Sequence, residues 1–163
     1  MTRPGLGTQL RTLLELLDGE LESIYRDEGL DYRPRFTPVL RALLDEAPQT
    51  VGRIAARAGI SQPAATQTLN LMLARGWVEL QADPADARRR LYAPSAKARD
   101  ALPQLQAIWA ATGGAGRGLD AELSSPLSML LDEAIAALRQ RSFPQRRRDA
   151  AALISPTPKN DKT

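Results

Sequence analysis

The chain has 163 residues, a formal net charge of +3, a sequence pI of about 9.7, few aromatic residues, and neither cysteine nor histidine. Disulfides, thiol redox sensing, thiolate or imidazole metal ligation, and Ser/His/Asp or Cys/His catalysis are therefore excluded. What remains is one domain or two small ones, mainly helical because Ala, Leu, Arg, Glu and Gln dominate, with a basic balance that favours an anionic partner.

Leu6 to about Asp27 reads as one long helix. Leu10, Leu13, Leu14, Leu17, Leu21, Ile24 and Tyr25 keep helical spacing, and Arg11, Glu15, Asp18, Glu22 and Arg26 take the other faces. Those early acids rule against a signal-peptide core, and no apolar run approaches the ~20 residues of a membrane span, so the expected location is cytoplasmic. Glu28 to Arg35 is a linker broken by Gly29 and Pro34. Thr37-Pro38 opens the next helix, which runs through Val39, Leu40, Leu43 and Leu44 to about Glu46, and Pro48 ends it.

Thr50 is the N-cap of a helix whose Ile54, Ala55 and Ala58 form a narrow apolar stripe. Gly59 supplies its left-handed stop, Ile60 plugs the turn, Ser61 caps the following helix, and Pro63 sits in that helix's first turn. The second helix, about Gln62 to Arg75, is two-faced. Ala65, Leu69 and Met72 fall on one side; Gln62, Thr66, Gln67 and Asn70 fall on the other. Amides and hydroxyls that both donate and accept are what reading base edges requires. Gly76 stops this helix, Trp77 to Gln81 alternates like a half-buried strand, Asp83 to Ala87 is turn chemistry, and Leu91 to Ala93 is the return strand. Arg88, Arg89 and Arg90, beside the hairpin tip, suit a loop lying along a minor groove or the phosphate backbone. The order specifies a mainly α fold with a small β-hairpin wing: a winged helix-turn-helix flanked by N- and C-terminal helices.

Ser95 to about Thr112 reads as a helix with Ala98, Leu102, Leu105, Ile108 and Trp109 as its buried stripe, kinked near Asp100 by Pro103. Gly113 to Gly118 reads as a flexible interhelical linker; it lacks the Gly-Lys-Ser/Thr of a phosphate-binding loop and follows no strand. Leu119 to Arg141 is the last long helix, Phe143-Pro144 breaks it, Gln145 to Ile154 forms a short helix, and 155–163 is a disordered tail. The expected division is 1–34 for an N-terminal dimerisation helix and linker, 35–94 for the winged helix, and 95–154 for C-terminal dimerisation helices. Leucine faces before and after the winged helix call for a second copy, because two reading helices must sit about one DNA turn (~34 Å) apart to read a palindrome.

From about Phe36 to Ala98 the chain resembles the MarR family of winged-helix transcriptional regulators. Its wing carries Asp86-Ala87-Arg88, matching that family's Asp-x-Arg, and Gln62, Pro63, Thr66, Gln67 and Asn70 match the family's DNA-contacting face. The resemblance implies that Arg88 inserts into the minor groove with Asp86 orienting it. It also implies that the N-terminal helix joins a homodimer interface. A small aromatic or phenolic effector would bind between the dimerisation helices and the winged helix, with Tyr25, Tyr32, Phe36 and Trp109 as candidate lining residues. The chain departs from the family in having Pro94-Ser95-Ala96-Lys97-Ala98 where Leu-Thr-x-x-Gly is usual, and leucines at 71 and 73 where charges are common.

The candidate DNA contacts are thus Thr50, Ser61, Gln62, Pro63, Thr66, Gln67, Asn70, Asp86, Arg88, Arg89 and Arg90, with no cofactor and no metal. The expected function is a DNA-binding regulator, a repressor rather than an activator. The alternative is a winged-helix dimer that binds protein instead of DNA. An enzyme is the weakest reading, since Glu20/Glu22, Asp83/Asp86 and Asp132/Glu133 are better explained as helix surface or turn residues.

Overall fold

The computed structural model describes residues 3–84, 86 and 89–154. The expected tail over 155–163 lies outside the described residues. Two compact units make up the chain, one reaching Gln104 and the other beginning at Leu105.

The first unit opens with α1 (Leu6–Asp27) and a 3-10 turn (Pro34–Phe36), followed by α2 (Thr37–Asp45), α3 (Val51–Ala58) and α4 (Gln62–Ala74). Strands β1 (Val78–Ala82) and β2 (Arg90–Pro94) pair antiparallel, from Val78 opposite Pro94 to Ala82 opposite Arg90, and α5 (Ala96–Asp100) follows. The core is the shared apolar side of these elements. Val39, Leu40 and Leu43 of α2, Ile54 of α3, Leu69 and Met72 of α4, and Trp77 before β1 are all buried. Burying a side chain of this size contributes about 1.5–3 kcal/mol.

Aromatic packing fastens the end of α1 to that core. Tyr32 is the hub: its ring centroid lies 4.8 Å from Tyr25, 5.4 Å from Phe36 and 4.9 Å from Trp77, the last two edge to face. Such pairs add about 0.5–1.5 kcal/mol beyond area burial. The wing gains a third, one-residue strand that the linear pattern does not announce. Gln49 N donates to Tyr92 O at 3.0 Å, and Tyr92 N donates back to Gln49 O at 2.8 Å. The Gln49 side chain is 1% exposed, and its Nε2 donates to Ala42 O at 3.0 Å and to Glu46 O, lashing α2 to the wing.

Between α5 and the next helix, Ala101 is the break, and Pro103 stands in the first turn of α6 (Leu102–Glu122). Proline therefore opens a helix here instead of kinking one, because its missing N–H is not needed in a first turn.

The second unit corrects the expectation for its glycines. α6 runs unbroken through Gly113, Gly114, Gly116 and Gly118. Each helical glycine costs only about 0.5–1 kcal/mol relative to alanine. No proline falls in this stretch, and none of its glycines has a positive φ, so nothing local stops the helix. The stop comes later, at Leu123 to Pro126, and α7 (Leu127–Gln140) begins with Pro126 as its N-cap residue. Asp120 receives the Ser128 N–H at 3.1 Å and the Ser128 hydroxyl, which fixes the corner. The last long helix therefore starts at Leu127 and not at Leu119. α8 (Phe143–Ile154) closes the described chain. Within the second unit Leu130, Ile135, Leu138 and Phe143 are exposed. Among the described residues no helix is long and apolar enough to cross a membrane, and no acidic cluster could hold a metal.

Candidate nucleic-acid interface

Local capping chemistry builds the helix-turn-helix. Thr50 Oγ1 accepts the Arg53 N–H at 3.5 Å, so α3 starts where the hydroxyl can take a free donor. Gly59 closes α3 at φ +68°, a conformation that costs any L side chain about 1–2 kcal/mol. Ser61 Oγ then accepts the Ala64 N–H at 3.3 Å, and Pro63 occupies the first turn of α4. Two helices are thereby joined through a turn of fixed geometry.

On α4 the two faces separate cleanly. Ala65, Thr68, Leu69 and Met72 are buried, while Gln62, Pro63, Thr66, Gln67 and Asn70 are exposed, with Ser61 exposed at the cap. The Thr66 hydroxyl donates to Gln62 O at 2.9 Å, leaving its oxygen free to accept. A side-chain carbon added at Gly52 would lie 3.9 Å from Gln62 Oε1, so the first turn of α3 runs beside the start of α4. Thr50, half-buried, stands at that same end. Leu71 and Leu73 are half-buried on the flanks of α4.

The far end of α4 is braced from two directions. Gly76, at φ +70°, turns the chain, and Ser95 Oγ donates to Gly76 O at 2.6 Å. Trp77 Nε1 donates to Asp31 O at 2.7 Å, and Arg75 forms an ion pair with the Asp31 carboxylate. Lys97 Nζ donates to Arg75 O at 2.8 Å and lies 4.6 Å from the Trp77 ring centroid, placing a cation at the negative end of the α4 dipole. None of these side chains is marked as a brace by the sequence. Their partners lie tens of residues away, and no spacing rule links them.

In the wing, Asp86 N donates to Asp83 O at 3.2 Å, Arg89 N donates to Asp86 O at 2.9 Å, and the Arg89 guanidinium lies 3.8 Å from the Asp83 carboxylate. Asp86, Arg89 and Arg90 are exposed, Arg90 being the first residue of β2. Arg88, expected to enter the minor groove, lies outside the described residues.

One charge cluster was missed. Both oxygens of Glu46 accept from Arg53 Nη2, at 2.8 and 3.0 Å, and Arg57 Nη1 donates to Glu46 Oε2 at 2.8 Å. The one-turn spacing of Arg53 and Arg57 is the signal that could have marked them as a pair.

The expected effector residues fall in different settings. Tyr25, Tyr32 and Phe36 are buried in the first unit's aromatic cluster, and Trp109 is buried in α6 of the second. Only Tyr32 of the four lines the open cleft of about 420 Å³ in the first unit, alongside Glu22, Arg26, Asp31, Arg33 and Arg75. Arg26 and Arg33 bring positive charge to this cleft from the end of α1 and from the linker after it.

A family model described as MarR family matches residues 35–89. No curated protein matches the chain in sequence. Among solved structures, a Mycobacterium tuberculosis transcriptional regulator, MOSR, in complex with DNA is 24% identical, covers 85% of this chain and 99% of its own, and superposes with a TM-score of 0.63. The transcriptional repressor CouR bound to a DNA duplex is 19% identical over 83% of this chain and 92% of its own, with a TM-score of 0.60. The PcaV transcriptional regulator from Streptomyces coelicolor, in complex with its natural ligand, is 18% identical over 86% and 99%, with a TM-score of 0.56. These likenesses establish the shared fold. The match to the MarR family model lies on the winged helix itself, so these residues are similar to that family and the chain shares the fold of these regulators.

Proposed function

We propose that this chain is a transcriptional repressor that binds palindromic operator DNA as a homodimer. The observation that carries the reading is the exposed polar face of α4. Gln62, Thr66, Gln67 and Asn70 stand together on a helix that is capped at one end and braced at the other. A helix so held can enter a major groove without losing its aim, and its amides can pair bidentately with adenine. Thr50 and Ser61 would contact phosphates, and Arg88, Arg89 and Arg90 would follow the backbone or minor groove beside them, with Asp86 orienting Arg88. The DNA-bound relatives named above lend weight to a nucleic-acid partner.

Dimerisation through 1–34 and 95–154 fits the exposed apolar side chains of both regions. Leu6, Leu14, Leu16 and Leu17 of α1 are 44–67% exposed, and Met129, Leu130, Ile135 and Leu138 of α7 are 44–59% exposed. Apolar surface on this scale favours a partner, and a two-fold arrangement supplies a second α4 about one DNA turn away. Release by a small aromatic ligand is supported by the cleft that Tyr32 lines next to Arg75, at the end of the reading helix. As a repressor the protein would work in the cytoplasm.

The test is fluorescence anisotropy with a labelled duplex from the promoter beside its own gene, at two salt concentrations, against a scrambled duplex. The expected result is salt-sensitive binding with at least about a hundredfold preference for the promoter. Dimerisation with no binding to either duplex at low salt would overturn the DNA reading in favour of a protein-binding module.

A further inference from the structure

Arg53 and Arg57 lie on exposed positions of α3, and Arg53 stands in its first turn, next in the chain to Gly52, where an added Cβ would lie 3.9 Å from Gln62 Oε1 at the start of α4. On a surface that meets DNA, exposed arginines in this position can take phosphates. In the free protein neither is available. Glu46 holds Arg53 through both carboxylate oxygens and Arg57 through one, and Asp45 stands 3.7 Å from Arg57. The geometry is that of a bidentate guanidinium–carboxylate pair, the same fork that would otherwise engage a phosphate.

The carboxylate is well anchored. Glu46 is the C-cap residue of α2 with extended backbone, and its carbonyl receives the buried Gln49 Nε2, so the backbone that aims it is fixed by the same residue that forms the third wing strand. The side chains themselves are wet: Glu46 is 44% exposed, Arg53 61% and Arg57 40%. Ion pairs in such settings contribute little to folding and are screened by salt. An anchored acid that does little for stability, yet occupies two arginines beside the reading helix, has its effect on what those arginines could otherwise bind.

We propose that Glu46 is an affinity-limiting residue. It acts as an internal competitor that holds Arg53 and Arg57 back from DNA phosphates and so keeps sequence-independent binding weak. The proposal rests on the DNA-binding reading and adds to it a residue that carries no base contact but sets how strongly the protein binds any duplex. Phosphate contacts supply affinity without sequence information. Removing the competitor therefore raises affinity for the promoter and for a scrambled duplex alike, and leaves the preference between them unchanged.

The experiment is a double-mutant cycle on the full chain, read as anisotropy of the promoter and scrambled duplexes across a salt series. Glu46→Gln is expected to tighten both by about three- to tenfold at low salt and to steepen the dependence of log K on log salt by about one to two, one for each arginine released. Asp45→Asn removes the same charge one residue away but only the longer 3.7 Å contact to Arg57 and none to Arg53, so it is expected to tighten binding less than Glu46→Gln and to leave the Arg53→Gln effect as it is in the wild type. Arg53→Gln is expected to lower the slope more in the Glu46→Gln background than in the wild type, the coupling that a competitor produces and a diffuse field does not. Equal effects of Glu46→Gln and Asp45→Asn, or an Arg53→Gln effect that is the same in both backgrounds, would overturn the proposal while leaving the DNA reading standing. A wild type that binds neither duplex removes the DNA reading and this proposal with it. Arg57→Gln approaches the same cluster from the other side, so the cycle does not depend on one variant's folding.

Discussion

Two glycine-to-alanine variants of identical chemistry have opposite expected signs. Gly116 and Gly118 lie inside α6, while Gly59 terminates α3 at φ +68°. At all three positions an added Cβ would meet no heavy atom within 4 Å, so packing does not enter and only the backbone decides. In a helix interior alanine is favoured over glycine by about 0.5–1 kcal/mol. The double variant Gly116→Ala, Gly118→Ala thus gains about 1–2 kcal/mol. For a chain of this size that raises the melting temperature by about 2–8 °C. At Gly59 alanine must enter the left-handed region at a cost of about 1–2 kcal/mol, so Gly59→Ala lowers it by a similar amount. Far-UV circular dichroism melts of the wild type and the two variants suffice. No gain from the double variant would mean that the glycine stretch is not helical in solution and would refute the continuous α6. A loss would mean that another chain approaches those glycines closely.

Burial raises the Tyr32 phenol well above the ordinary tyrosine value, against a smaller lowering by its hydrogen bond with Thr37. In the unfolded chain the phenol ionises near pH ~10. Above that pH the unfolded state sheds a proton that the native state keeps, so stability falls as pH rises. Urea unfolding across that range should show a shallower loss in Tyr32→Phe than in the wild type; identical slopes would place the effect on other groups. Ser95 caps α5 by accepting the Ala98 N–H at 3.2 Å and also donates to Gly76 O at 2.6 Å. Ser95→Ala should therefore cost about 1–2 kcal/mol in denaturant melts. The Ser128 hydroxyl and N–H hold the Asp120 carboxyl below its usual value; in an NMR titration Ser128→Ala should return it toward the ordinary aspartate range.

Most of the candidate site's scaffold is legible in the sequence because its causes are local. Thr50, Gly59, Ser61, Pro63 and Gly76 act on backbone groups within three or four residues of themselves, and each sits where capping and turn chemistry place it. The two faces of α4 follow from helical period alone. The same local logic misread Gly113 to Gly118. Glycine content lowers helix propensity without forbidding the helix, and the real stop is the Ser124-Ser125-Pro126 run.

What only the tertiary structure decided is whatever joins residues far apart in the chain. No pattern announces that Gln49 pairs with Tyr92 or that Asp31 holds both Arg75 and Trp77. Nor does one announce that Glu46 occupies two arginines of the following helix. The sequence by itself determined where α1 to α4 start and stop and which face of α4 is polar, since a cap or a period is complete within one or two turns. It could not determine which charges are already spent on one another, because an ion pair depends on a separation of a few ångströms that only the packed fold sets.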